Sequence, residues 1–424
     1  MKRNRMNKKL IAGLAMTAVA AMTLTGCAAN GGDGAEGDSV VIGRILPLTG
    51  ALAGTGNRVA DGSEIAREII NENGGINGVM VEYVTEDAPD DESARQAAER
   101  LLNQDIDIVM GTFGSSLALA AIPVITGEGG LYWETGASAV GITDGTYDNI
   151  YRASLTAKDI GVDAVTFAAE QLADDLGKSP EEMTVGWAGV NTSYGEDVFS
   201  GVTESAETYG MEIVLNAAYP VDSTDLNNVA LQIRDANPDI LILTSYDADA
   251  AALGRAMRAS DVNPPVVIGS GGGHVNESWI ESMGSSGNGV FNVGFSTQLN
   301  TEGLSDQAKA YYDEFIERYG ESNNGAHPGA FDMNGFMGAM ALFDTMMAAD
   351  ELTPEGIAAA ADTIDIADRS NVDGSGLRFN EFGQNEAALF FVSQWQDGEI
   401  VPVFPVDLAL AEPENVPLPA WDER

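Results

Sequence analysis

Few side chains in this chain of 424 residues are equipped for covalent or metal chemistry. Cysteine occurs once, as Cys27, and histidine twice, as His274 and His327. Zinc, copper and haem sites need sets of such ligands, so no metal or other cofactor is expected. No G-x-S-x-G elbow presents a serine nucleophile. Gly54-Thr55-Gly56 sits between a strand-like and a helical run, as a dinucleotide loop does, but Val59 stands where the third glycine belongs. Asp and Glu total 65, too many for any pair to mark acid–base catalysis. An enzyme is therefore not expected, and the chemistry that remains is non-covalent. Gly111-Thr112-Phe113-Gly114-Ser115-Ser116 follows a strand ending at Met110 and opens a helix. A helix N-terminus offers free N–H groups and partial positive charge, which suits a carboxylate. The alternative for Ser115 is that it only caps its own helix.

Such groups must be held by regular elements, and from Val40 to about Val293 strand-like and helix-like segments alternate. Residues 40–46, 79–85, 106–110, 131–133 and 150–152 read as strands, with helices at 57–73, 92–103 and 115–126. A second series begins with a helix at 159–176. It continues through strands 183–190, 211–219, 240–243 and 266–268 and helices 193–209, 225–235 and 248–260. Alternation of this kind implies parallel sheets, and two series imply an α/β chain of two doubly wound lobes. Helices at 305–319, 329–347 and 354–364 come next, then strands at 377–380, 388–396 and 399–403, the last two joined by Asp397-Gly398, a hairpin signal. The late helices are expected to cover the first lobe and the late strands to return to the second. Three crossings then fall near Ser154, Ser296 and Asp373, a three-strand hinge. Lobe 1 is 39–154 plus 297–372, lobe 2 is 155–296 plus 373–410, and 411–424 is a Pro-rich irregular tail.

The N-terminus speaks to compartment. Lys2, Arg3, Arg5, Lys8 and Lys9 precede an apolar stretch from Leu10 to Leu24, too short for a comfortable membrane span. Leu24-Thr25-Gly26-Cys27 ends it. The pattern resembles a bacterial lipoprotein signal at 1–26, which implies acylation of Cys27 and anchoring at the outer face of the cell membrane. An ordinary cleaved secretory signal is the alternative. Residues 27–38, Gly-rich and acidic, suit a flexible tether.

The chain carries 21 Lys and Arg against 65 Asp and Glu, a net charge of −44. Removing residues 1–26 takes five bases and no acids, which brings the charge near −49. Such a surface repels phosphate backbones and anionic lipid, so nucleic acid is excluded as a partner and the membrane is met only through the lipid anchor. Sparse lysine with excess acid suggests a salt-tolerant or high-G+C bacterium. Salt screens self-repulsion, so the melting temperature is expected to rise from low to molar salt; an unchanged melt contradicts this.

Several segments, in order, resemble the leucine/isoleucine/valine-binding family of ABC-transporter solute receptors. These are Gly43-Arg44-Ile45-Leu46-Pro47-Leu48-Thr49-Gly50, Ile70-Asn71-Glu72-Asn73-Gly74-Gly75-Ile76-Asn77-Gly78 and Ser193-Tyr194-Gly195-Glu196. To them add 226–243, ending ANPDILILT, and 378–384 with Gln394-Trp395-Gln396-Asp397-Gly398. The resemblance implies a type I periplasmic binding protein fold, closing over a small solute and delivering it to an ABC permease and ATPase. A monomer is expected. A co-receptor of the same fold feeding a signalling partner is the alternative. The family's contacts fall on Ser115 and Ser116, on Gly136 and Ser138, and on Tyr194, Tyr246 and Gly271, with Phe113 a further aromatic wall.

One departure bears on the solute. The family's amino-acid receptors carry an acid, paired with the solute ammonium, in the loop after the strand at 266–268. Here that loop reads Gly269-Ser270-Gly271-Gly272-Gly273-His274, with Gly271 or Gly272 at the matching place. A buried ammonium without a counter-charge is costly. Either the solute lacks an ammonium, or another acid substitutes, with Glu134 the first candidate and Asp247 the second. Branched-chain or other hydrophobic amino acids, amides, aromatic acids and nucleobase-like compounds all fit these walls.

Overall fold

The computed structural model describes residues 39–221, 223–295 and 298–424, so Cys27 and the signal and tether assigned to 1–38 lie outside the described residues. The first series folds as β1 (Ser39–Leu46), α1 (Ala53–Glu72), β2 (Met80–Asp87), α2 (Asp91–Leu102), β3 (Ile108–Gly111), α3 (Ser115–Gly127), β4 (Leu131–Glu134) and β5 (Ile150–Arg152). Its five strands form a parallel sheet in the order β2-β1-β3-β4-β5.

The second series is α4 (Ala157–Gln171), α5 (Ala173–Leu176), β6 (Thr184–Val190), α6 (Ser193–Tyr209), β7 (Glu212–Tyr219), α7 (Asn227–Ala236), β8 (Ile240–Thr244), α8 (Asp247–Ala259), β9 (Val266–Ser270), α9 (Glu277–Met283) and β10 (Phe291–Gly294). Three helices follow, α10 (Asp306–Ser322), α11 (Ala330–Ala348) and α12 (Pro354–Ala361), then β11 (Phe391–Gln396) and β12 (Glu399–Phe404). The second sheet runs β12-β11-β10-β9-β8-β6-β7, with β11 and β12 antiparallel at one edge. Asp397 and Gly398 both have positive φ, 50° and 86°, as a two-residue hairpin turn requires.

Each lobe is clamped by a helix pair crossing at glycines. An added Cβ on Gly62 of α1 would lie 1.9 Å from the Asp332 carbonyl oxygen, and one on Gly335 of α11 2.2 Å from that of Val59. In the second lobe Gly161 of α4 and Gly201 of α6 play the same part, at 2.1 Å from Val198 O and 2.0 Å from Lys158 O. Any larger side chain there must push the helices apart. α11 therefore packs on the first lobe although it follows the second in sequence.

Two expectations need correction. Residues 377–380 form no strand; they make only single bridges, Ile366 to Leu377 and Phe379 to Asn385. The Asn380 carboxamide oxygen accepts from Phe382 and Gln384 N–H, so the backbone turns on local bonds instead of extending. Leu377 and Phe379 belong to the first lobe's core, which moves the third crossing from Asp373 to between Phe379 and β11. The expected crossing at Ser296 lies outside the described residues. At the first crossing, Gln384 Nε2 donates to Ser154 O at 2.7 Å and Asn385 Nδ2 to Ala153 O at 2.9 Å. The tail is irregular but docked: Trp421 is buried and its Nε1 donates to Val262 O at 3.0 Å.

Asp163 on α4 yields a pH prediction. Burial first, then the neighbouring Asp159 charge, pushes its carboxyl up to about 7. A folded-state value above the unfolded one favours the protonated form, so this contribution is complete below about pH 4 and is lost as pH rises through 7. The Asp163→Asn variant is expected to melt several degrees above the parent at pH 8 and with it at pH 4; equal melting at both contradicts the reading.

Candidate functional site

Ligands of open α/β sheets settle beyond the carboxyl ends of the strands, where the strand order reverses. The reversals here lie between β1 and β3 and between β6 and β8. The loops leaving the strand ends meet around one narrow cavity of about 20 Å³. From the first lobe come Phe113 and Ser115 after β3, and Gly136 and Ser138 after β4. From the second come Ile160 of α4, Tyr194 after β6, Tyr246 after β8, Gly271 and Gly272 after β9, and Phe295 after β10.

The β3 loop has an unusual backbone. Phe113 adopts φ +96°, a left-handed conformation that costs a side-chain-bearing residue on the order of 1–3 kcal/mol. Its ring packs edge-on to Phe331 at 4.9 Å and approaches Tyr246 at 6.5 Å. Ser115 does not cap its helix: Gly114 is the N-cap, without a side-chain bond. The Ser115 hydroxyl oxygen instead accepts from Ser138 N–H at 3.3 Å and Ala139 N–H at 3.1 Å, tying the two contact loops together.

Glu134 has a different job from the one expected. It is fully buried and does not line the cavity. Its carboxylate accepts from the N–H groups of Thr112, Thr135, Gly136 and Ala137 at 2.7–3.0 Å, from Phe113 N–H at 3.5 Å and from the Tyr132 hydroxyl at 2.8 Å. Burial drives its pKa upward, and the donors, led by the Ala137 and Gly136 N–H groups, pull it back. Every acceptor position is spent on the loops, so none is left for a solute ammonium. Arg152, also fully buried, completes the frame: it donates to Ala139 O at 2.7 Å, Thr143 Oγ1 at 2.6 Å and Gln384 Oε1 at 2.7 Å.

On the facing lobe the Tyr194 hydroxyl donates to Ser270 O, and its ring lies 5.8 Å from that of Tyr246. Burial raises the pKa of both phenols, keeping them neutral. Gly272 is held by sterics: an added Cβ would lie 1.8 Å from Ser245 O and 3.5 Å from the Tyr194 hydroxyl. Across the cleft, Val140 N–H donates to Asp197 Oδ2 at 2.8 Å, and Arg58 meets Glu277 at 3.7 Å.

Other candidates fall outside. Ser116 is exposed, one position round the helix from Ser115. Asp247 accepts from Asn276 Nδ2 at 2.5 Å and does not line the cavity. His274 is fully buried against Trp279, 4.9 Å between rings, and desolvation lowers its pKa to about 3, making it a neutral core side chain. His327 lines a separate crevice of about 320 Å³ beside Arg58 and Trp395. Ile160 and Phe295 went unread in the sequence, although Phe295 directly follows a strand end and so stood where the strand-end rule points.

The periplasmic binding protein family model matches residues 39–399. The chain belongs to that family. Periplasmic binding proteins are solute-binding proteins, not enzymes. A curated relative, Leu/Ile/Val-binding protein homolog 8 of Brucella abortus (strain 2308), is 29% identical over 375 residues, 88% of this chain and 92% of its own length. Among solved structures, the branched-chain amino acid transporter substrate-binding protein LivJ of Streptococcus pneumoniae, in complex with isoleucine, superposes with TM-score 0.71 at 20% identity. That match covers 86% of this chain and 98% of LivJ. A solute-binding protein of an ABC transporter from R. palustris, in complex with benzoate, gives TM-score 0.72 at 17% identity, covering 89% and 98%. The periplasmic binding protein fold thus hosts solutes with and without an ammonium at equal structural distance from this chain.

Proposed function

We propose that this periplasmic binding protein is the extracytoplasmic receptor of an ABC importer and that its cleft takes a small aromatic or branched apolar carboxylate without an ammonium group. One observation carries the reading: among the described residues lining the cavity there is no carboxylate, ammonium, guanidinium or imidazole. The amino end of α3 and the hydroxyls of Ser115 and Ser138 suit a carboxylate, and Phe113, Tyr194, Tyr246 and Phe295 suit an apolar body. An ammonium would enter the same space with no counter-charge, a loss of several kcal/mol. The neighbour holding benzoate is consistent with this choice.

Solute entry requires the lobes to part, a rigid rotation about the three connections. In this reading the described part of the first lobe comprises 39–154 with 298 to about 380, and that of the second 155–221, 223–295 and about 381–410. Cys27 carries the acyl anchor, the chain acts as a monomer, and a permease with its ATPase takes the solute. A thermal-shift panel tests the solute class. Benzoate, 4-hydroxybenzoate and 4-methylpentanoate are expected to raise the melting temperature, and leucine, isoleucine and phenylalanine to leave it unchanged. Stabilisation by leucine but by none of the carboxylates overturns the reading.

A further inference from the structure

The first lobe holds a second, larger cavity of about 610 Å³ that shares no lining residue with the cleft. It opens between α10, α11 and the segment 364–372. Met337, Met340, Asp344 and Met347 contribute from one face of α11, at the three- and four-residue spacing that stacks side chains along a helix. Tyr311 of α10 and Ile364 close the other sides. Behind them lies the lobe's hydrophobic core, against which Tyr311, Met347 and Ile364 pack.

Asp344 is out of place in such a wall. Its side chain has no hydrogen bond or ion pair with any described residue, and burial alone pushes its carboxyl up to about 6. Apart from the Tyr311 phenol it is the only titratable group lining the cavity among the described residues. The half-buried carboxylate shares the lining with thioethers and aliphatic carbons and with the neutral polar side chains of Ser305, Gln307, Ser370 and Asn371, and a cation that brings its own apolar body matches that mixture. Methionines adapt to such bodies, and an aromatic face attracts the charged head. Ser305, Gln307, Ser370 and Asn371 add neutral oxygens to the lining, but among the described residues no second carboxylate joins Asp344, so no divalent-metal site is built. The volume suits an organic molecule of modest size.

We propose that this cavity is a second ligand site, for an amphipathic organic monocation: an alkyl- or arylammonium whose head pairs with Asp344 and whose body lies along Met337, Met340, Met347 and Ile364. The site is independent of the cleft and of the solute proposed for it. The acidic surface as a whole raises the local concentration of cations and so feeds such a site.

The test is calorimetric titration of the whole mature chain with n-hexylammonium at pH 8, in enough salt to screen surface charge, with hexanol and hexanoate as isosteric controls. Expected are one hexylammonium per chain, tenfold or greater weakening in Asp344→Asn, and no measurable binding of either control. Asp163→Asn removes one acid elsewhere and is expected to leave the affinity unchanged. Asp344→Asn should melt at or above the parent at pH 8, so misfolding will not imitate the loss. Undiminished binding in Asp344→Asn, weak binding of many molecules per chain, or equal binding of hexanol overturns the proposal.

Discussion

Replacing Glu134 by alanine is expected to lower stability by about 3–5 kcal/mol, the scale of breaking a buried charged network by removing one partner. The carboxylate gathers N–H groups from the ends of both β3 and β4, and without it those donors face a dry interior with nothing to meet. The loops carrying Phe113, Ser115, Gly136 and Ser138 should lose their relative placement, so solute binding falls away together with stability. Glu134→Gln keeps one acceptor but turns an NH2 toward donors, and should lie between alanine and parent. Denaturant unfolding of the three proteins checks this. A Glu134→Ala variant that unfolds with the parent would mean the network contributes nothing. A loss confined to cationic solutes would restore the charge-pairing role that the sequence suggested.

Tyr194→Ala and Tyr246→Ala are each expected to weaken solute binding by about 1–3 kcal/mol, the scale of truncating a well-packed aromatic at a binding surface. The two rings lie 5.8 Å apart, so the double variant should lose less or more than the simple sum. Tyr194→Phe removes only the hydroxyl bond to Ser270 O and should cost less than alanine. Isothermal titration against the best solute of the thermal-shift panel reads these directly. Unchanged affinity in both single variants would place the solute elsewhere.

How far the sequence carries can be judged residue by residue. Helix α6 was legible to its ends because Thr192 accepts from Gly195 N–H at its start and Gly210, at φ +71°, stops it. The β11–β12 hairpin was legible from Asp397-Gly398 for a similarly local reason. Residues 377–380 misled because their apolar content serves the first lobe's core while their backbone bonds to a nearby turn. Ser115, read from its place after a strand end, and Gly136, Tyr194 and Tyr246, read from the family resemblance, all line the cavity. Ser116 failed on helical periodicity, which turns adjacent side chains about 100° apart. Glu134 stood out as an unusual acid, but its role was not legible. Whether a carboxylate at a strand end faces a cleft or its own lobe depends on N–H groups brought by the neighbouring strand, remote only in sequence, here Thr112 and Phe113 after β3. The cavity beside Asp344 was hidden for the same reason, since α10, α11 and 364–372 meet only in three dimensions.

The most direct test of the cleft account is a crystal structure of the chain with an aromatic carboxylate such as benzoate. The account predicts the carboxylate at the amino end of α3, on Ser115 and Ser138, with the ring between Phe113, Tyr194 and Tyr246. Density for the solute outside these strand ends, or an amino acid whose ammonium sits on an acidic side chain in the cleft, would contradict it.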